Sequence, residues 1–425
     1  MKRTDYAAVG ETLYSAVLPN GMPIFVMPKP GYRKVFAVCA ANYGGVDRRF
    51  SLDGRETSTP AGVAHYLEHK MFDTPEGDAL LLMNATGADP NAFTSESMTA
   101  YHFECVERFE ENLRTLLSFV SVPYFTQESV DKERGIIAQE IRMYEDSPDF
   151  AVYTDLMKCL FAESPLRDSV AGTVESIAEI TPEILYDCHR AFYRPSNLGL
   201  CVVGDVDPDT VERIAREVLP QEPAALPERD PGPEEGPEPV SAYSERRMEV
   251  AAPIFMIGAK LGPAPTGPEG QRKRLTAALA MRCLAGPSSP FYLQHYSEGL
   301  LNSTFGCDVD YGGGQAVAAF DGETSRDPRE VFDALRAEIG RVRKEGFDPA
   351  LFERQKKAAL GARIRALSNF SGLAVGTLAG RFAGFNVMDS FDALAAVTRA
   401  DAEDWVRQSL APERMALSVI YPKEA

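Results

Sequence analysis

The chain has 425 residues, 44% of them hydrophobic and 25% charged, long enough for at least two buried cores and too ordinary in composition for a disordered or fibrous protein. Its 44 Lys and Arg stand against 62 Asp and Glu, a net charge of -18 with no basic patch to offset it, which argues against nucleic acid or an anionic membrane surface as a partner. No apolar run approaches the roughly 18 residues of a membrane span, and the opening Met1-Lys2-Arg3-Thr4-Asp5-Tyr6 lacks the apolar core of a signal peptide. Seven cysteines, an odd number without a CxxC pair, fit reduced core thiols, so the expected location is the cytoplasm.

In chain order, Leu18-Pro19-Asn20-Gly21-Met22 lies between apolar runs and predicts a hairpin turn, because Asn and Gly accept positive φ. Val35 to Ala40 reads as a buried strand, and Thr59-Pro60 as the N-cap and first residue of a helix. That helix carries His65, Glu68 and His69, which share one arc of about 100° while Val63 and Leu67 lie opposite. Two imidazoles four apart can reach one ion. The neighbours Ala61, Gly62 and Phe72 are small or apolar, so the arc is largely dry. The bland alternative is a pair of satisfied histidines sharing a helix face.

A second helix, opening near Thr126, places Glu133, Ile137, Glu140 and Tyr144 on one stripe through 4, 3, 4 spacing. Two carboxylates on a partly apolar face need a cation or hydrogen-bond donors. Either a metal with the histidines supplies these, or Arg134 and Arg142 pair with them on the surface.

From Pro220 to Pro239 the chain holds seven prolines and six acidic residues in twenty, which predicts an extended, semi-rigid linker. It separates residues 1–219, with the candidate metal site, from residues 240–425. An internal repeat crosses it. A shift of 217 residues lays Ile177, Ile180, Thr181, Pro195, Leu200, Val202 and Val203 on Leu394, Val397, Thr398, Pro412, Leu417, Val419 and Ile420 without a gap. A shift of 222 lays Phe125-Thr126 on Phe347-Asp348, each opening a long helical pattern. The expected fold is α+β: two duplicated domains, each an antiparallel sheet packed with helices. The second shift puts Gln355 opposite Glu133 and Ala362 opposite Glu140, and no HxxEH follows residue 240, so the second copy holds no such metal site. His102, His189 and Gly312-Gly313-Gly314 carry no motif and read as structural features.

HxxEH followed about seventy residues later by E-x6-E resembles the inverzincin zinc metallopeptidases of the pitrilysin, insulinase and mitochondrial-processing-peptidase family. The likeness runs through Ala61 to His69, Asn91-Ala92-Phe93-Thr94-Ser95, Thr99-Ala100-Tyr101 and Glu133 to Glu140, and covers nearly the whole chain. It is nearest to uncharacterised bacterial insulinase-like proteins of this length. The resemblance implies a zinc metalloendopeptidase with one Zn²⁺ per chain, held by His65, His69 and Glu140, with Glu68 as general base and Glu133 orienting a ligand histidine. It further implies that Asn91, Ala92, Phe93 and Thr94 belong to an edge strand that pairs with extended peptides, and that the second half closes a chamber over peptides or unfolded segments. Relatives enclose substrate between four such domains, so a homodimer or a heterodimer with a related chain is expected. Active relatives commonly carry an Arg and a Tyr seven apart near the start of the second half. Here His295 and Asn302 stand at those places, with Tyr296 beside them as a substitute donor. The family also contains inactive or weakly active subunits of two-chain processing complexes, which is the alternative reading.

Overall fold

The computed structural model describes residues 1–423. Its first sheet has seven strands in the order Lys2–Tyr6, Glu11–Val17, Pro23–Pro28, Leu198–Gly204, Val35–Ala41, Thr99–Cys105 and Asp89–Thr94. Its second has five, in the order Tyr243–Met248, Met415–Pro422, Ile254–Pro263, Gln315–Glu323 and Gly306–Asp310. The last five strands of the first sheet repeat the second sheet's order element for element. Each sheet is antiparallel except for one parallel pair, Pro23–Pro28 with Leu198–Gly204 and Tyr243–Met248 with Met415–Pro422. Each parallel pair is joined by a long excursion through helices, as parallel strands require.

The local signals behind the repeat are the ones observed. Thr181 and Thr398 cap the helices Pro182–Phe192 and Arg399–Ser409, accepting the backbone N–H of Ile184 and Asp401. Pro195 and Pro412 open single 3-10 turns that deliver the chain into the central strands. The hairpin at Asn20-Gly21 also forms, with Gly21 at φ 90° and its N–H bound to the Leu18 carbonyl at 2.8 Å.

The two halves interpenetrate. The helix Pro148–Leu160, from the first half, packs on Ile254–Pro263 and Met415–Pro422, whereas Phe370–Phe382, from the second, packs on Leu198–Gly204 and Val35–Ala41. These helices are each other's counterparts at a shift of 222. Their equivalent leucines, Leu156 and Leu378, are buried on glycines of the opposite sheet. A Cβ on Gly258 would meet Leu156 at 2.9 Å, and one on Gly199 would meet Leu378 at 2.8 Å.

The segment from Pro220 to Pro239 is anchored along its course. Glu228–Arg229 add a short strand to Arg49–Leu52, the Arg229 guanidinium binds Asp47 at 2.7 Å, and Glu235 accepts the N–H groups of Ala162, Glu163 and Ser164 at 2.7 to 2.9 Å. Acidic side chains expected to repel one another find fixed donors instead. Across the same seam, Gly313 donates its N–H to the Ser97 hydroxyl at 2.8 Å. No helix among the described residues is long and apolar enough to cross a membrane.

Candidate metal centre

The helix carrying the histidines spans Val63–Lys70, and its N-cap is Gly62 rather than Thr59, which instead donates to the Arg48 carbonyl. Tertiary contact overrides the capping signal at this point. Gly62 has φ 93°, and a Cβ on it would meet the Ala171 carbonyl oxygen at 2.6 Å. The helix enters under the loop around Gly172, where the Ser176 hydroxyl binds the Ala61 carbonyl at 2.8 Å. Val63, Ala64, Tyr66 and Leu67 are buried below the first sheet. The helix Gln127–Glu145 begins in a capping box between Thr126 and Ser129 and buries Val130, Ile137 and Ile141. The Tyr66 hydroxyl donates to the Val130 carbonyl and ties the two helices together.

Where they meet, His65 Nε2 lies 3.6 Å from Glu140 Oε1, and His69 Nε2 lies 3.5 Å from Glu140 Oε2. One ligand atom from each of the three residues falls within 4.8 Å of the others. These separations are long for hydrogen bonds. They fit donors sharing a small cation, since two ligands about 2.1 Å from a tetrahedral Zn²⁺ stand about 3.4 Å apart. Two imidazoles and one carboxylate are also a donor set that zinc takes in catalytic sites. His65, His69 and Glu140 therefore fit the metal that the resemblance implies.

The surrounding groups set orientation and charge. Glu133 Oε1 accepts from His69 Nδ1 at 3.0 Å, which makes Nε2 the free nitrogen on the side of Glu140. Lys70, buried, bridges Asp73 at 2.5 Å and Glu133 at 3.7 Å. The surface pairing with Arg134 is not seen: that side chain binds Asp131. Burial pulls the His69 pKa down, but the Glu133 hydrogen bond and the carboxylates of Glu68 and Glu140 outweigh it and leave the value raised. For Glu133 burial is likewise outweighed, here by His69 and Lys70, and its pKa falls. The His65 ring, against the effect of burial, and then the Tyr144 hydroxyl at 2.6 Å hold Glu140 down to about 2.

Glu68 is 7% exposed and stands outside the His65, His69 and Glu140 cluster. Its Oε2 accepts from the Thr94 hydroxyl at 2.6 Å, and burial raises its pKa from its ordinary value, against the effects of Thr94 and the two histidines. Asp89–Thr94, the strand that supplies Thr94, is the free edge of the first sheet, bonded only to Thr99–Cys105. Asn91, Ala92 and Phe93 lie along it.

The second half's expected contacts stand apart. His295 Nδ1 pairs with Glu298 at 3.0 Å, Asn302 Oδ1 is taken by Thr304, and Tyr296 is exposed and stacked on Tyr292. None of the three shares a hydrogen bond or ion pair with the metal centre. His102 lies against the rings of Phe36 and Phe93, and His189 Nε2 meets the Val120 carbonyl at 3.2 Å, both in structural roles. Sequence reasoning did not assign roles to Lys70 or to the Tyr144 hydroxyl. Tyr144 sat on the carboxylate stripe and was legible there; a buried lysine paired across 63 positions has no local signature.

A duplicated α+β fold with a His, His, Glu cluster and an unligated glutamate beside it defines the architecture of an HxxEH metallopeptidase. Residues 54–174 match the family model "Insulinase (Peptidase family M16)", and residues 179–359 match "Peptidase M16 inactive domain". The chain belongs to the M16 peptidase family. It is 34% identical over the full length of both chains to a Bacillus subtilis protein named as an uncharacterized zinc protease, YmfH. It is 25% identical to a similarly named Streptomyces coelicolor zinc protease, covering 99% of this chain and 93% of that one. The crystal structure of an M16-like peptidase from Alicyclobacillus acidocaldarius superposes with a TM-score of 0.93 at 32% identity, over 97% and 99% of the two chains. Pitrilysin shares the fold, with a TM-score of 0.79 at 16% identity, and the chain spans 46% of its length.

Proposed function

We propose that this protein is a zinc metalloendopeptidase that hydrolyses peptides or unfolded segments. The observation that carries the reading is the placement of Glu68: buried, unligated, and on the same helix face as two imidazoles that converge with Glu140. When bound, zinc supplies a Lewis acid that polarises a carbonyl and lowers the pKa of water to about 7. The chain's own residues do the rest. Thr94 holds Glu68 Oε2, leaving Oε1 to take a proton from water and return it to the departing amine. Glu133 holds the His69 tautomer. The free edge at Asp89–Thr94, joined to Glu68 through Thr94, supports docking of the substrate as an added strand, a mode that reads backbone more than side chains.

Two chains associate around the substrate in this reading, supported by the pitrilysin chain's being about twice as long as this one. The seven free cysteines support a reducing, cytoplasmic setting. A second reading, an inactive or weakly active subunit, is favoured by one observation: His295 and Asn302 replace the Arg and Tyr expected there and are engaged with Glu298 and Thr304. Metal analysis combined with hydrolysis of a quenched peptide library, before and after chelation, decides between them. Chelator-sensitive cleavage is expected; bound zinc without it selects the subunit reading. Sedimentation tests the association, which a fully active monomer would exclude.

A further inference from the structure

The second half has its own cleft where the first has its metal centre, and the charge in it is reversed. The helix Gly267–Ala285, the helix Pro349–Ala366 and the edge strand Gly306–Asp310 meet as the histidine helix, the glutamate helix and Asp89–Thr94 do in the first half. At the shift of 222, buried Ile137 becomes Ala359 and Glu140 becomes Ala362, and this loss of volume accompanies a cavity of about 320 Å³ lined by Leu275, Leu279, Ala359, Arg282, Arg363 and Asp308, among others. That is the size range of small-ligand sites.

Two guanidinium groups line this space without partners to match. Neither Arg282 nor Arg363 forms an ion pair among the described residues. Arg282 Nε is buried without a hydrogen bond, and Arg363 reaches only the Ala359 carbonyl of its own helix, at 3.5 Å. The one carboxylate in the pocket, Asp308, turns Oδ1 to the N–H of Val309 at 2.7 Å. Burial and then the nearby charge of Arg282 lower the Arg363 pKa, so the pair repels across a partly desolvated gap. An oxyanion, carboxylate or phosphate, resolves that repulsion with charge-assisted, bidentate hydrogen bonds. The thiol of Cys307 faces the Met281 carbonyl and takes no part.

We propose that this pocket is an oxyanion-binding site, taking a carboxylate or phosphate group between Arg282 and Arg363 and a hydrogen-bond donor of the same ligand at Asp308. The shared chemistry has two sources, free phosphate and the terminal carboxylate of a peptide. The inference does not rest on peptidase activity.

Calorimetric titration of the full chain tests it with inorganic phosphate, with an N-acetylated peptide ending in a free carboxylate, and with the same peptide amidated. One site per chain is expected for phosphate or for the free-carboxylate peptide, weakening as salt rises. Affinity should fall at least about tenfold in Arg282→Gln and in Arg363→Gln and vanish in the double variant, while His65→Ala leaves it unchanged. Preference for the free carboxylate over the amide assigns the peptide as source; binding of phosphate alone assigns the free ion. Arg363→Lys, which keeps the charge but not the fork, should retain weakened binding, and it serves in place of any glutamine variant that fails to fold by circular dichroism. Absence of binding by both probes, binding undiminished in the double variant, or binding lost in His65→Ala and retained in the double variant overturns the proposal.

Discussion

The two halves share one backbone plan and divide the chemistry unequally. Both have the same five-strand order, a threonine-capped helix, a proline turn and a central strand. Yet where the first half presents Glu133 and Glu140, the second presents Gln355, spent on the Ser288 hydroxyl at 2.6 Å, and Ala362. Backbone pattern specifies the fold, and a handful of side chains on that pattern specifies the site, so one can be kept while the other is lost. The halves are also not independent bodies. Each sheet is covered by a helix from the other half, which makes the second half part of the scaffold that holds the His65, His69 and Glu140 cluster.

The sharpest break in the comparison is Glu68→Gln. It should keep zinc by metal analysis and lose about 10² to 10⁴ in turnover, the usual contribution of a general base. His69→Ala should lose both zinc and turnover. Near-normal turnover in Glu68→Gln would remove the base assignment.

Next in size is the exchange of helices. Leu378→Ala empties a site against Gly199 and should cost about 2 to 5 kcal/mol, and its counterpart Leu156→Ala a similar amount against Gly258. Because each leucine belongs to one half and supports the other, both variants should lower a single cooperative unfolding transition in urea. Two separated transitions, only one of them shifted, would show that the halves fold apart.

A smaller difference concerns acid. Burial lowers the His189 pKa from 6.5 to about 4, whereas its counterpart at a shift of 217 is buried Val406. Above pH 6.5 both folded and unfolded His189 are neutral and nothing is lost. Between pH 6.5 and about 4 the unfolded chain alone takes up the proton, so stability falls through that window by up to on the order of 3 kcal/mol. His189→Val should flatten the loss in pH-dependent melts. An unchanged slope would place the acid sensitivity elsewhere.

The smallest effect is that of Glu133→Gln, which weakens the hold on His69 and should reduce zinc affinity about 10- to 100-fold in competition with a chelator. The matching second-half change, Gln355→Glu, should add no zinc, because no imidazole faces it. A second equivalent of zinc in that variant would contradict the division of chemistry between the halves.

The sequence by itself determined the pairing of imidazoles on one helix arc, the pairing of carboxylates on a second helix's stripe and the duplicated fold, because each is written in short-range periodicity: a spacing of four for the imidazoles, of seven for the carboxylates, and a cap and a proline at fixed offsets from a strand; the roles of His65, His69, Glu140 and Glu68 are what the family resemblance implies. The family resemblance implies an edge strand at Asn91 to Ser95, and the sheet order puts Asp89–Thr94 at the edge, with Ser95 beyond the strand's end. What only the tertiary structure decided rests on contacts between residues remote in sequence. Gly62 replaced Thr59 as the helix cap because the Ala171 backbone passes within reach of a Cβ. Charged linker residues became anchors because Arg229 found Asp47 and Glu235 found three backbone N–H groups. The exchange of Pro148–Leu160 for Phe370–Phe382 has no local signature either, since both helices are apolar enough to cover a sheet. Each covers its sheet where a glycine admits its leucine, Gly258 for Leu156 and Gly199 for Leu378, a complementarity of shape that exists only once both sheets are built.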